Sequence, residues 1–297
     1  MKLLLTGAGG FIGSRLLRLA LDRGHQVAAL DFPGTPVPPA AAGHKAMSWL
    51  EGTLSEAPWK SIEAFQPEQC IHCAWTTAPK FAYDSPEHFR CLQDSKLFLA
   101  RALDAGVKHI LGVGTCIEYR IDRAPLVEDK TPLEPVGAYA ESKNGMRAWL
   151  QEQAPQRGFQ FGWGRIFYVY GVGEHPTRLC SAIIQKVRRK ESIVLKTPQS
   201  TKDYIYIDDV IAALMLMAER KVPGAVNIGT GLGITIFDLA QTVEKLLGKS
   251  GLVQKADPPV PDPLDYVVAD STRLRMLGWQ PQHDLERGLR KLIEAVP

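Results

Sequence analysis

Short apolar runs alternate with amphipathic stretches through the first 170 residues of the chain. Leu3-Leu4-Leu5 is followed by a stretch in which Leu16, Leu17, Leu19, Ala20 and Leu21 are apolar and Arg15, Arg18, Asp22 and Arg23 are charged. A run too short for a helix, then a helical period, predicts a buried strand leading into a helix. The alternation repeats. Residues 26–30, 47–50, 70–75 and 109–114, the last ending at Thr115, read as four further strands, and 159–170 as a sixth. Between them, 61–65 reads as a short helix, 86–105 as a long one stopped by Gly106, and about 138–153 as another. Residues 33–42 and 120–135 have loop composition.

This rhythm predicts an α/β fold: a Rossmann-type, doubly wound parallel sheet with helices on both faces. Right-handed crossovers leave few alternative topologies, and ligands are expected at the carboxyl ends of the strands. Beyond Gly171 the pattern loosens. Residues 179–189 form a basic amphipathic helix read as a solvated face, and 204–207 are strand-like. An apolar helix at 210–217 has Asp208-Asp209 ahead of it as a cap. A short strand at 226–229 and helices at 237–247 and 285–294 complete the pattern. The expected division is a dinucleotide-binding domain of residues 1–171 plus about 203–232, and a smaller C-terminal substrate-binding lobe of about 172–202 plus 233–297. The proline-rich 257–263 reads as an ordered loop near a ligand, or a linker.

Composition narrows the class. The 297 residues supply ample core for one large domain or a domain plus a lobe. A scattered net charge of +3 gives no ground for a nucleic-acid or membrane partner. Met1-Lys2 runs straight into the first strand, and no apolar run is long enough to span a bilayer, so a cytoplasmic location is expected. Five irregularly spaced cysteines predict no disulfide framework. Cys70-Ile71-His72-Cys73 imitates a redox or zinc motif but lacks a second ligand pair. On a strand, positions three apart face opposite ways, so these residues read as core and no metal is expected.

The turn after the first strand changes the picture most. Gly7, Gly10 and Gly13 stand between strand and helix. One glycine permits the tight turn, one lets backbone approach a pyrophosphate, and one lets the helix pack on the strand. The helix N-terminus offers N–H groups and a positive dipole end. Asp31 ends the second strand at the distance a nucleotide-binding βαβ unit requires, placed to accept adenosine ribose hydroxyls. Asp31 followed by Phe32 favours NAD(H), because a carboxylate repels a 2′-phosphate and no arginine follows; NADP(H) is the alternative. Tyr139 and Lys143 are neighbours on one helical face. An ammonium beside a phenol favours phenolate, lowering a reference pKa of about 10. Such a tyrosine can give or take a proton near neutral pH. Thr115, at the end of the fifth strand, either hydrogen-bonds a substrate oxygen or satisfies turn backbone.

In order along the chain come Gly7-x-x-Gly10-x-x-Gly13, Asp31, His72-Cys73-Ala74, Thr115 with Tyr119, and Tyr139-x-x-x-Lys143. They are followed by Arg165-Ile166-Phe167-Tyr168-Val169-Tyr170-Gly171, Asp203-Tyr204-Ile205-Tyr206-Ile207-Asp208-Asp209-Val210, Asn227-Ile228-Gly229-Thr230-Gly231 and Leu277-Gly278-Trp279-x-Pro281. Together, across essentially the whole chain, these resemble the extended short-chain dehydrogenase/reductase family, in its nucleotide-sugar epimerase, dehydratase and reductase branch. The resemblance implies Tyr139 as proton donor or acceptor, Lys143 lowering its pKa and holding the nicotinamide ribose, and Thr115 polarising a carbonyl. Hydride would pass between nicotinamide and a sugar carbon. It implies Gly7, Gly10, Phe11, Ile12, Gly13, Asp31, Thr53, Leu54, Ala74, Tyr139 and Lys143 as cofactor contacts. Thr76, Thr115, Tyr168 and Lys202 would contact a nucleoside-diphosphate sugar. A homodimer through the helices at 86–105 and 138–153 is also implied.

Departures from the family pattern sharpen the expectation. Family dehydratases carry Asp-Glu directly after the threonine; here Cys116-Ile117 follow, which argues against elimination of water. The stretch 114–119, with Ala74-Trp75, resembles reductases of nucleotide-activated 4-keto-6-deoxyhexoses. Tyr168 stands where many relatives have a phosphate-contacting asparagine, Lys202 where many have arginine, and Cys91 near another usual asparagine. Lysine can meet a pyrophosphate as a point charge without the bidentate fork. The expected activity is therefore reduction of a keto group on a nucleotide-activated deoxysugar. The alternatives are a nucleotide-sugar 4-epimerase with tightly bound NAD, and a non-catalytic dinucleotide sensor on the same fold.

Overall fold

The computed structural model describes residues 1–76 and 83–296. The chain divides into two compact units, one of Met1–Glu118, Pro135–Arg165 and Ile211–Val226, the other of Tyr119–Glu134, Ile166–Val210 and Asn227–Pro297.

The first unit follows the alternation of the sequence. Its elements are β1 (Lys2–Thr6), α1 (Gly13–Asp22), β2 (Gln26–Asp31), β3 (Met47–Glu51), α2 (Trp59–Phe65), β4 (Gln69–His72), α3 (Glu87–Asp104), β5 (His109–Thr115), α4 (Ala138–Arg157) and β6 (Gln160–Ile166). With the strand Gly224–Ile228 they make a seven-stranded sheet, ordered Gly224–Ile228, β6, β5, β4, β1, β2, β3. The pairs β3–β2, β2–β1, β1–β4 and β4–β5 are parallel. Chain order reverses between β1 and β4, whose carboxyl ends lie side by side with Thr6 opposite His72. That reversal is where an open α/β sheet leaves a crevice for a ligand.

Burial explains the elements. β5 is buried at every residue, as a central parallel strand requires. α1 turns Leu16, Leu17, Ala20 and Leu21 inward and leaves Arg18 and Asp22 as a surface ion pair at 2.7 Å. Leu4, Cys70, Phe98, Ile110, Leu150 and Trp163 belong to one buried cluster. Each such apolar side chain contributes about 1.5–3 kcal/mol on burial.

The boundaries differ from the sequence reading in instructive places. The single strand expected over 159–170 is two. Phe167 N–H donates to Ile228 O and Tyr168 N–H to Asp203 O, both at 3.0 Å, so the pairing partner changes while the apolar character continues. Tyr168–Tyr170 then pairs in parallel with Tyr204–Tyr206. α4 extends past the expected 153 to Arg157, carrying Pro155 in its last turns, and ends at Gly158 in the left-handed region. The helix expected at 210–217 is Ile207–Glu219, so Asp208 and Asp209 lie inside its first turn rather than ahead of it.

In the second unit several strands of two or three residues carry no readable period. Thr201–Lys202 pairs with Ile234–Thr235 and Tyr266–Val267, and Ile193–Leu195 with Val253–Lys255. Two buried carboxylates act as hubs. Asp203 accepts from Thr230 N–H, Thr230 Oγ1, Gly231 N–H and Ala269 N–H. Asp209 accepts from the N–H groups of Gln282 and His283 at 2.9 and 3.0 Å and contacts His283 Nδ1, while Trp279 Nε1 donates to its carbonyl. The family-like Asp209 and Trp279 thus act as fasteners for the C-terminal segment. The five cysteines are free, and the described residues contain no cluster of three His, Cys, Asp or Glu able to hold a metal. No helix among the described residues is long and apolar enough to cross a membrane.

Candidate active site

The glycine turn is shaped by close approaches that exclude side chains. Gly7 has φ +67°, and a Cβ there would stand 2.8 Å from Ala74 N. A Cβ on Gly13 would stand 1.9 Å from Gly7 O, so α1 begins tight against the turn. Gly10 N–H donates to Gly7 O at 3.1 Å. No side chain caps α1 at Ile12, and Ser14 N–H donates to Gly10 O at 2.9 Å; the positive end of the helix dipole there suits an anion. Phe11 carries Arg15 against it, with the guanidinium 5.2 Å from the ring centre and Nη1 donating to Phe11 O.

Asp31 is locked onto this turn. Its Oδ2 accepts from Gly9 N–H at 2.6 Å, and its Oδ1 from Phe32 N–H at 2.8 Å and Thr35 Oγ1 at 3.3 Å. At the exit of β3, Thr53 Oγ1 accepts from Glu56 N–H, and Leu54 packs against the buried cluster. A strut absent from the sequence reading holds the other side. The Thr6 hydroxyl bonds His72 Nδ1 at 2.9 Å and accepts from Ala74 N–H at 3.2 Å, and His72 Nε2 meets Ser95 Oγ at 3.0 Å. Burial pushes His72 down to about 3, so it stays a neutral strut. The residue that imitated a metal ligand fixes Ala74 beside Gly7. Thr76, two residues on, has its Oγ1 3.0 Å from Cys91 Sγ.

The proposed reacting groups also lie in the first unit. α4 starts after Gly137, whose φ of +88° and approach to Asp84 Oδ1 require glycine. The Tyr139 ring is half-buried, packed 5.4 Å from Tyr83 and 5.2 Å from His88 between ring centres. One turn on, Lys143 is buried; its Nζ donates to Val113 O at 2.9 Å and lies 3.9 Å from the centre of the Trp75 ring. Burial pulls Lys143 down to about 7, against the pull of Glu118 and the thiols Cys73 and Cys91 in the opposite direction. Thr115, at the end of β5, is buried and its N–H donates to Glu118 Oε1 at 2.9 Å.

Tyr168 and Lys202 belong to the second unit, where they meet each other. Lys202 Nζ is 5.4 Å from the Tyr168 ring centre, is paired with Asp262 at 3.0 Å, and also donates to Leu264 O. The proline-rich loop thus supplies a carboxylate for this lysine, a pairing across sixty residues that no local motif announces.

Comparisons with known proteins agree with this architecture. Residues 3–229 match the NAD dependent epimerase/dehydratase family. The chain is 26% identical to UDP-glucose 4-epimerase of Streptococcus mutans, over all of this chain and 96% of that protein. It is 25% identical to UDP-glucuronic acid decarboxylase 6 of Arabidopsis thaliana, over 99% of this chain and 88% of the relative. The structure of Thermus thermophilus UDP-glucose 4-epimerase in complex with NAD superposes with a TM-score of 0.85 at 26% identity, covering all of this chain and 99% of that one. With the family match spanning three-quarters of the sequence and the nucleotide turn built as described, the chain belongs to the NAD-dependent epimerase/dehydratase family.

Proposed function

We propose that the chain reduces a keto group on a nucleoside-diphosphate keto-deoxysugar, with hydride from a nicotinamide cofactor and the proton from Tyr139. The observation that carries this reading is the turn after Thr115. Cys116 and Ile117 offer no acid or base for elimination, and the one carboxylate there, Glu118, is fully buried and engaged with Arg165, Trp163 and Thr115 N–H. The chemistry left to the site is movement of one hydride and one proton at one carbon.

The residues fit a dinucleotide. The Gly7–Gly13 turn excludes side chains where a pyrophosphate would approach, no side chain caps α1, and Asp31 stands at the end of β2 to take the adenosine ribose. Asp31 favours NAD(H) over NADP(H). A bound nicotinamide supplies the hydride. Tyr139 gives its phenolic proton to the carbonyl oxygen as it becomes an alcohol, and the Lys143 ammonium stabilises the phenolate left behind. The Thr115 hydroxyl donates to the same oxygen and stabilises the developing alkoxide. The second unit is proposed to carry the sugar-recognising loops, with Tyr168 and Lys202 as diphosphate contacts. The exposed Phe89 and Leu97 of α3 support pairing of two copies through α3 and α4, which sedimentation would test.

A second reading, 4-epimerisation with retained NAD, is favoured by the UDP-glucose 4-epimerases among the relatives. The deciding experiment mixes purified protein with a nucleoside-diphosphate 4-keto-6-deoxyhexose and NADH or NADPH. Stoichiometric loss of reduced-cofactor absorbance supports the reductase. No loss, with NAD already on the isolated protein and inversion of a nucleotide sugar, establishes the epimerase instead.

A further inference from the structure

We propose that Glu118 is a positioning residue of this site: its buried carboxylate fixes Thr115 through the backbone and supplies the negative charge that faces the Lys143 ammonium. The inference rests on the reading of Thr115 and Lys143 as reacting groups.

The carboxylate is wholly enclosed, and Thr115, Trp163 and Arg165, which bond it, all belong to the first unit. Its Oε1 accepts from Thr115 N–H at 2.9 Å and from Trp163 Nε1 at 3.0 Å. Its Oε2 accepts from Trp163 Nε1 at 3.1 Å and from Arg165 Nε at 2.8 Å. The sheet is built around this arrangement. A Cβ on Gly114 would stand 2.6 Å from Glu118 Oε1 and 2.2 Å from Trp163 Nε1, and one on Gly112 would stand 2.4 Å from the indole. Two glycines on one face of a central strand weaken it and mark a close approach, which is the sequence signal for this site. A buried carboxylate is costly unless its oxygens are satisfied; three donors, one of them the Arg165 guanidinium, satisfy this one. It therefore sits in one place, and the Thr115 backbone sits with it.

Lys143 Nζ donates to Val113 O and Glu118 Oε1 accepts from Thr115 N–H, the backbone groups on either side of Gly114, so ammonium and carboxylate meet the same short segment of β5. The other charged and titratable groups beside them are Arg165, paired with Glu118, Cys73 and His72 at the end of β4, and Cys91 from α3. Burial holds Cys73 as a thiol, up at about 12, and His72 neutral. Glu118 is the carboxylate facing the ammonium. An interior ammonium is driven to lose its proton by desolvation, and a fixed carboxylate opposes that loss.

The test is the titration of Lys143 itself, followed by the ¹³Cε resonance of labelled lysine in the full chain without added ligand and assigned by its absence in Lys143→Met. In Glu118→Gln, which keeps an oxygen acceptor and removes the charge, the midpoint is expected to fall by about one unit or more, a tenfold change in proton affinity. Glu118→Asp keeps the charge and shortens the reach, so it restores the midpoint while turnover stays reduced. A folded Glu118→Gln protein with an unmoved midpoint overturns the proposal. Should that variant not fold, Glu118→Asp decides by itself: turnover equal to wild type, with the shorter side chain unable to hold Thr115 N–H, overturns the proposal. Because the readout needs no substrate, its failure is distinct from failure of the reductase reading, which Tyr139→Phe turnover reports.

Discussion

Gly13→Ala should cost both fold and cofactor affinity, and the structure says how much more than its neighbours. The new Cβ would fall 1.9 Å from Gly7 O, 2.8 Å from Gly7 C and 3.0 Å from Ala8 Cα. The first approach is about 1.5 Å inside ordinary van der Waals contact. All three atoms are backbone, so relief requires α1 to move off the turn. Overpacking of this kind costs about 1–3 kcal/mol, which for a chain of this size lowers Tm by roughly 2–5 °C. The same movement carries the helix N-terminus away from its anion, so NADH affinity should fall at least about tenfold, the equivalent of about 1.4 kcal/mol. Gly10→Ala is the graded comparison. Its Cβ would meet only Gly7 O at 3.3 Å, so stability should stay near wild type while affinity drops. Gly24→Ala is the control, with open space around it and φ +77°, losing about 1–2 kcal/mol of stability with no effect on binding. Thermal melts and calorimetric titration with NADH, run on all three, give the ranking. A Gly13→Ala protein that melts like wild type and binds NADH unchanged would refute the reasoning.

Three further outcomes are expected. Tyr139→Phe should lower turnover by about 10²–10⁴-fold while cofactor affinity is retained, and undiminished turnover would remove Tyr139 from the mechanism. Asp31→Ala should weaken NADH more than NADPH, with additional loss of stability because Gly9 N–H and Thr35 Oγ1 lose their acceptor; equal weakening of both cofactors counts against the ribose role. Lys143→Met should abolish turnover yet raise Tm near neutral pH. Burial lowers the folded-state pKa of Lys143 from 10.5 to about 7, so below about 7 the folded chain carries a buried charge that the unfolded chain holds in water. Between about 7 and 10.5 the unfolded chain binds more protons, stability of the wild type rises with pH, and the advantage of the variant should close. Melts at pH 6, 8 and 10 (roughly spanning that window) check the sign.

What the sequence made legible was local. The glycine spacing, the helical period of α1 and the acid at the end of β2 lie within one βαβ unit, and Tyr139 and Lys143 are one helical turn apart. What it concealed depends on residues far along the chain. The break at Phe167 exists because Ile228 and Asp203 take the next backbone N–H groups. Lys202, expected as a diphosphate contact, is paired with Asp262. His72 read only as a core residue, and its ring bonds both Thr6 and Ser95 as a neutral strut. The burial of Glu118 depends on Trp163 and Arg165, far along the chain, and in the sequence only the two glycines of β5 mark the close approach.

Those glycines bear on how this sequence can change over time. Any side chain gained at position 112 or 114 collides with the Trp163 indole, so the indole must shrink first. Shrinking it alone opens a void in a buried cluster, at about 3–5 kcal/mol, and leaves Glu118 without one of its donors. Every single substitution out of this arrangement therefore passes through a weakened protein. Gly112, Gly114, Trp163 and Glu118 should descend together or be replaced together in related sequences, a linkage that could trace this lineage within its family more faithfully than the shared nucleotide turn.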